Sequence, residues 1–336
     1  MKRNSRGIMI CAMTGLLILI LDSETALRGA TEGITLCIRT VVPSLFPFFV
    51  FSTLLVGADS SIKLPKTIAG ILRIPRSTGT LLIAGFLGGY PVGARCIAQA
   101  WRNGGIRRSD AERMLAFCNN AGPAFLFGML SPMFPEKWMV WVLWAIQILS
   151  AILTCILLPG GGSRLEQVKP QHSITLPEAT KAAVNAIAGV CGWVVLFRVF
   201  LTFLEYWCLW ALPNWMQVFL SGLLELANGC CSLAQIPNTS LRMILCSAML
   251  GFGGICVMMQ TRSVTEGLSL ALYWKGKLLY SVIAIVLTCG VVAAAGMEKF
   301  TMLLPAASGA LCASVLTAHF IRKSQKRNSI FSPAVV

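Results

Sequence analysis

The residues of this chain best suited to chemistry are ionisable and amide side chains set inside long apolar runs. Glu225 is the sharpest of them. It stands in Leu224-Glu-Leu-Ala-Asn-Gly229, and ionisable residues within transmembrane segments are rare and usually face a cavity or a partner. Its carboxylate can ligate a substrate or a cation, or carry a proton, and Asn228-Gly229 beside it can start or stop a half-helix. The alternative is a structural pair with Arg198 or Arg95. Asn119 and Asn120 follow, in Phe117-Cys-Asn-Asn-Ala-Gly-Pro123. An amide both donates and accepts, which suits a neutral polar ligand such as a nucleobase or sugar, and Gly122-Pro123 frees backbone groups next to it. The alternative is a hydrogen bond to a neighbouring helix. Tyr90, in Gly88-Gly-Tyr-Pro91, offers a ring face and a hydroxyl, although Tyr is also common at membrane interfaces. Gln99, Gln235 and Gln260 are weaker candidates near segment ends. Gly253 and Gly254 read as a close backbone approach rather than as side-chain ligands. The expected binding set is therefore Glu225, Asn119, Asn120, Gly122, Tyr90, Asn228, Gly253 and Gly254.

These residues share a setting. Each lies where Gly or Pro strips hydrogen-bond partners from the backbone of an apolar segment, which lipid tolerates only where the freed groups are buried in protein or line a wet cavity. The interruptions at 85–95 and 117–123 recur about 135 residues later at 224–229 and 250–255. Paired interruptions in corresponding places of two halves point to the binding site of a secondary transporter. Uninterrupted apolar spans are expected at 8–21, 36–57, 138–158, 183–204, 278–296 and 302–321, and broken ones at 79–100, 114–131, 216–236 and 241–261. Segment 79–100 has basic loops at both ends, so it is expected to be a re-entrant hairpin turning near Gly88–Pro91. Pro43 and Pro47 predict a kinked span, since each removes a helical hydrogen bond.

The predicted fold is an all-α polytopic membrane protein, an inverted repeat of transmembrane helices with re-entrant hairpins and broken helices. Residues 1–33 form an uncleaved signal-anchor span and an amphipathic surface segment, 34–158 a first repeat, 159–182 a cytoplasmic linker, 183–296 a second repeat, and 297–336 a final span with the basic tail Arg322–Arg327.

Composition supports the class. Hydrophobic residues make up 56% of the chain and charged residues 12%, against about 25% charged in soluble domains. The net charge of +15 would suit nucleic acid, but its distribution does not. Twenty-one of the 28 Lys and Arg fall in six clusters: Lys2–Arg6, Lys63–Arg76, Arg102–Arg113, Arg164–Lys181, Arg262–Lys277 and Arg322–Arg327. With all six cytoplasmic, the positive-inside rule is obeyed. Arg28, Arg39, Lys137, Arg242 and Lys299 would lie outside, with Arg95 and Arg198 in or near the membrane. The excess then reports topology and contact with anionic lipid headgroups. The 13 Cys are scattered without a C-x-x-C pair, and the only His are His172 and His319. A metal or redox centre has no support in that pattern. Neither H-E-x-x-H nor G-x-S-x-G is present, so no enzyme activity is expected.

Four motifs carry a family resemblance: Pro43-Ser-Leu-Phe-Pro-Phe48, Gly88-Gly-Tyr-Pro-Val-Gly-Ala94, Glu112-Arg-Met-Leu-Ala-Phe-Cys-Asn-Asn-Ala-Gly-Pro123 and Leu224-Glu-Leu-Ala-Asn-Gly229. In that order they resemble the YlbJ-type sporulation integral membrane proteins of the nucleoside-recognition (Gate) domain group, over roughly residues 25–320. The resemblance implies a polytopic plasma-membrane protein of an endospore-forming bacterium, a core similar to concentrative nucleoside transporters, and a role tied to spore cortex formation. Ala121 stands where family members often carry Ser.

The expected function is a carrier or permease for a small polar, nucleoside-like solute, coupled to H⁺ or Na⁺ and needing no other cofactor. The alternative is a non-transporting membrane factor that scaffolds or regulates sporulation or envelope proteins. Expected partners are the solute, anionic lipid headgroups and a second copy in a homo-oligomer, and no nucleic acid. Both termini are expected in the cytoplasm.

Overall fold

A computed structural model describes residues 2–57, 62–160 and 174–296, and among these every regular element is helical. Among the described residues five stretches are long and apolar enough to cross a membrane: Ser23–Leu54, Lys137–Leu157, Leu176–Trp207, Thr239–Val264 and Ala271–Ala294. At 1.5 Å per residue, about 20 residues match the hydrocarbon thickness of about 30 Å. The chain is a polytopic, all-α membrane protein. The final span at 302–321 and the tail at 322–327 lie outside the described residues, as does most of the linker.

Helix α1 (Lys2–Leu21) gives way to α2 (Ser23–Leu36) at Asp22, whose side chain accepts from the Thr25 N–H at 3.1 Å. The sequence predicts a surface segment here that ends at residue 33. The helix instead runs on through a π-helical turn, Cys37–Val41, into α3 (Val42–Gly57). The reason is packing against α9 (Leu176–Trp207). Gly29 and Gly33 lie four residues apart on one face, and a Cβ there would come within 2.8 Å of Thr202 Oγ1 and 2.9 Å of the Val195 Cα. Small residues at that spacing let two helix backbones approach in lipid. Glu32 then reaches Arg198 of α9, which also holds Glu205 at 2.9 Å. The charged face expected on a surface helix is thus spent on a neighbouring helix.

Helix α9 starts earlier than the expected span at 183. Thr175 and Glu178 form a reciprocal cap, with Pro177 in the first turn. That pairing satisfies two otherwise orphaned N–H groups, so residues 176–182 belong to the helix rather than to the linker.

The expected interruptions are all seen. After a short α4 (Lys66–Leu72), α5 (Gly79–Leu87) and α6 (Val92–Arg102) fold back on each other about Gly88–Pro91, where the Tyr90–Pro91 bond is cis. At 9 and 11 residues the arms reach only about 14 and 17 Å, so neither crosses a membrane alone. Helix α7 (Arg108–Cys118) stops at Asn119, and a π-helical segment resumes at Ala124–Leu130 before the long α8 (Lys137–Leu157). The second half has the same order. Helices α10 (Asn214–Leu224) and α11 (Leu226–Cys231) fold back about Glu225, α12 (Thr239–Phe252) and α13 (Gly254–Val264) are broken at Gly253, and α14 (Ala271–Ala294) closes the described chain. Glycine lets both hairpins close. A Cβ on Gly85 or Gly93 would collide with the Cys118 carbonyl at the break of α7, and one on Gly229 with the backbone of Gly222. Lipid tails are as apolar as Leu, so such close packing rather than water exclusion holds these helices together.

Candidate solute site at the converging helix breaks

The four interruptions, far apart in sequence, meet. Tyr90, at the tip of the first hairpin, donates its hydroxyl to the Leu250 carbonyl at 3.3 Å, just before the break in the second half. Gly253 and Gly254 follow with φ of +87° and +81°, a left-handed backbone that glycine adopts without penalty. A Cβ on Gly253 would lie 2.8 Å from the Tyr90 hydroxyl, and one on Gly254 3.0 Å from the carbonyl of Gly222 in the second hairpin. Gly122 packs against Gly89 of the first hairpin, with only 2.9 Å between a Gly122 Cβ position and the Gly89 nitrogen.

Between these elements lies a cavity of about 40 Å³, lined by Ser44, Tyr90, Gly122, Glu225 and Gln260 among apolar side chains. That is room for a few water-sized groups. A second cavity of about 530 Å³ adjoins it and carries Arg95, Gln99, Glu178 and Asn185 on its walls. This volume is within the usual range for small-molecule pockets. The two share Val190 and Gln260, so these side chains stand between a wide vestibule and a narrow inner chamber.

Glu225 is buried at the tip of the second hairpin. Its Oε2 accepts from both the backbone N–H and the side-chain Nδ2 of Asn228, each at 2.7 Å, which caps α11. The structural-pair alternative is not realised. Arg198 holds Glu32 and Glu205 instead, and Arg95 reaches the Ala182 carbonyl, at 3.4 Å. Among the described residues no salt bridge involves Glu225.

The other expected residues divide. Tyr90 and Gly122 line the inner chamber with Glu225. Asn228 lies behind Glu225 as its hydrogen-bond partner, and Gly253 and Gly254 shape the backbone. Asn119 and Asn120 line neither cavity, and their amide nitrogens are used internally. Asn119 Nδ2 donates to Thr261 Oγ1 at 2.8 Å, and Asn120 Nδ2 to the Phe117 carbonyl at 2.7 Å.

What draws the asparagines inward is Lys277, a residue the charge pattern groups with a cytoplasmic loop. That grouping is corrected here: Lys277 is 1% exposed, in the interior of the protein. Its ammonium donates to the Asn119 carbonyl (2.5 Å), Asn120 Oδ1 (3.0 Å) and the Tyr90 hydroxyl (3.3 Å). The rings of Tyr280, Tyr90 and Tyr273 surround it at 4.8, 5.2 and 5.8 Å. Tyr280 is held in turn through its hydroxyl on the Gln147 carbonyl of α8, at 2.5 Å. Among the described residues the Asn119 Oδ1 makes no hydrogen bond, and the Tyr273 hydroxyl lies beside the Thr261 and Asn119 side chains. Arg113 leaves the loop charges as well. It is buried, and its guanidinium donates to the carbonyls of Leu72, Arg73 and Cys155, closing the ends of α4 and α8. One local signal marks Lys277: Tyr273 and Tyr280, four residues before it and three after, put aromatic rings on its own helix face.

No family model matches the chain, and no solved structure matches it significantly. It is similar to the sporulation integral membrane protein YlbJ of Bacillus subtilis (strain 168), with 24% identity over 288 residues that cover 72% of this chain and 71% of that protein. The chain is thus an all-helical membrane protein with a distant similarity to one sporulation integral membrane protein.

Proposed function

We propose that this protein is a carrier for a small polar, nucleoside-like solute, acting in the plasma membrane of a sporulating cell. The observation that carries the reading is a chamber walled by three of the helix interruptions and by the half-helix that follows the fourth, with a buried carboxylate that has no ion-pair partner among the described residues. A scaffold has no need of broken backbone at mid-membrane, where each freed polar group costs several kcal/mol unless satisfied. Glu225, Tyr90 and Gly122 are the ligands, with Glu225 accepting hydrogen bonds from hydroxyl or N–H groups of the solute. The adjoining vestibule is the route of entry, and Gln260 is the threshold between the two. The chamber is too small for a nucleoside, so this conformation is a closed one that opens as the hairpins move.

The repeated order of hairpin, interrupted helix and long helix supports an inverted-repeat, alternating-access design. The basic clusters support cytoplasmic termini. With Arg95, Gln99 and Glu178 on its walls, the vestibule then faces the cytoplasm. The similarity to a sporulation protein supports a role in spore formation, and the family resemblance of the four motifs implies a link to the cortex.

The test is a thermal-shift screen of the purified protein against nucleosides, sugars and amino acids, repeated with Glu225→Gln. A true ligand at 100 times its Kd raises stability by about 2.7 kcal/mol, and the Gln variant loses that response. A screen in which no polar solute stabilises the protein, or in which the stabilisation is the same in Glu225→Gln, overturns the reading.

A further inference from the structure

The Lys277 ammonium sits in a set of ligands that resembles an ion site more than a salt bridge. Its contacts are a main-chain carbonyl, a carboxamide oxygen and a phenolic oxygen, one for each of its three N–H donors. Among the described residues no carboxylate forms an ion pair with it. All three oxygens come from helix interruptions: Asn119 and Asn120 from the break after α7, and Tyr90 from the hairpin tip. Unwound carbonyls and the C-terminal ends of half-helices are the groups that coordinate monovalent cations in broken-helix carriers. Helix α7, 11 residues long, ends at the ammonium and presents the negative end of its dipole there. Three aromatic faces complete the shell with cation–π contacts. The ammonium thus has an oxygen for each N–H and aromatic rings around it, and it is part of the chain.

We propose that Lys277 is a tethered cation: its ammonium fills a monovalent-cation site built from the Asn119 carbonyl, Asn120 Oδ1 and the Tyr90 hydroxyl, so that the transport cycle runs without a coupling Na⁺. The site is linked to the solute chamber through one residue. Tyr90 lines that chamber and also accepts from Lys277, so the ammonium fixes the first hairpin tip against the break in α7. A free ion would have to bind before that geometry formed. Here the ligands are preorganised, and the positive charge stays in the protein when solute leaves. The inference rests on the carrier reading for its place in the cycle, whereas the occupied cation site stands or falls without solute.

Melting of purified protein tests it with no solute present. The wild type is melted in NaCl and in choline chloride at equal ionic strength. The same is done for Lys277→Ala and Lys277→Met, with n-propylammonium or tetramethylammonium chloride added. The expected result is a wild-type melting temperature indifferent to Na⁺ and both variants several degrees lower. In Lys277→Ala, n-propylammonium restores the loss, because it replaces the three carbons and the nitrogen that the substitution removes. Tetramethylammonium has no N–H to donate and does not restore it. Lys277→Met keeps the volume filled without charge and is not rescued. Stabilisation of the wild type by Na⁺ over choline overturns the proposal and leaves the carrier reading intact. So does a Lys277→Met protein that melts like the wild type, or a Lys277→Ala loss that the two amines repair equally or not at all. If Lys277→Ala yields no folded protein, the wild-type sodium comparison and Lys277→Met still decide.

Discussion

The two broken regions meet the same demand by different means. In the first half, the freed Asn119 carbonyl and the side-chain oxygens of Asn120 and Tyr90 are satisfied from far away, by a lysine more than 150 residues further along the chain. In the second, the break at Glu225 is satisfied locally, by the carboxylate capping Asn228, and the break at Gly253 by two residues of positive φ. The first arrangement consumes its polar groups, leaving Asn119 and Asn120 turned away from the chamber. The second leaves a carboxylate in the chamber wall. A helix break is therefore not itself a binding site. Binding capacity is what remains after the backbone has been paired.

The comparison assumes that both hairpins close through glycine, and the largest expected effect lies there. Gly85→Val and Gly229→Val should each cost at least the upper end of the ~1–3 kcal/mol typical of overpacking, because the added atoms meet backbone rather than flexible side chains. Size-exclusion profiles and melting curves of the detergent-purified variants check this. A Gly85→Val protein that melts like the wild type would show that the first hairpin does not rest on the Cys118 carbonyl.

Glu225→Gln should come next, and on function rather than stability. Gln keeps an acceptor for the Asn228 N–H, so melting should stay within about 1 kcal/mol of the wild type, while solute-dependent stabilisation is lost. Isothermal titration of the variant with the solute found by screening gives the answer. Retained affinity would erase the difference between the two halves.

Asn120→Ala should show the converse. Removing one oxygen from Lys277 leaves a buried ammonium donor unpaired, at about 1–3 kcal/mol. Solute affinity, measured at a temperature where the variant is folded, should change far less than in Glu225→Gln. A variant of normal stability that no longer binds would move Asn120 into the solute site and reverse the comparison.

The smallest effect is expected at Gln260→Ala, between vestibule and chamber. Its Nε2 reaches only Cys256 Sγ, at 3.4 Å, so stability should hardly move. Losing one hydrogen bond to solute, worth about 0.5–1.5 kcal/mol, weakens binding about 2- to 10-fold. Unchanged affinity alongside faster solute entry in stopped-flow measurements would make Gln260 a gate only.

Much of this was legible in the residues. Hydropathy marks the class, because about 20 apolar residues in a row have few other destinations. Gly88–Pro91, Gly122–Pro123 and Gly253–Gly254 mark the breaks, because each takes away the N–H or the Cβ that a regular helix uses. A lone carboxylate in an apolar run singles out Glu225. Pairwise packing is less visible. Gly29 and Gly33 read as part of a surface helix until the opposite face, near Val195 and Thr202 of α9, is known.

By itself, then, the sequence determined that the chain is helical and membrane-embedded, where its helices break, and that Glu225 is buried within an apolar segment. These follow from local composition and backbone chemistry. Only the tertiary structure decided that the breaks meet, that Glu225 has no cationic partner among the described residues, and that Lys277 turns inward. A lysine seven residues into a helix, next to a basic loop, has the same sequence signature whether its ammonium reaches cytoplasm or core. The oxygens that decide between them, on Tyr90, Asn119 and Asn120, are brought to it only by folding.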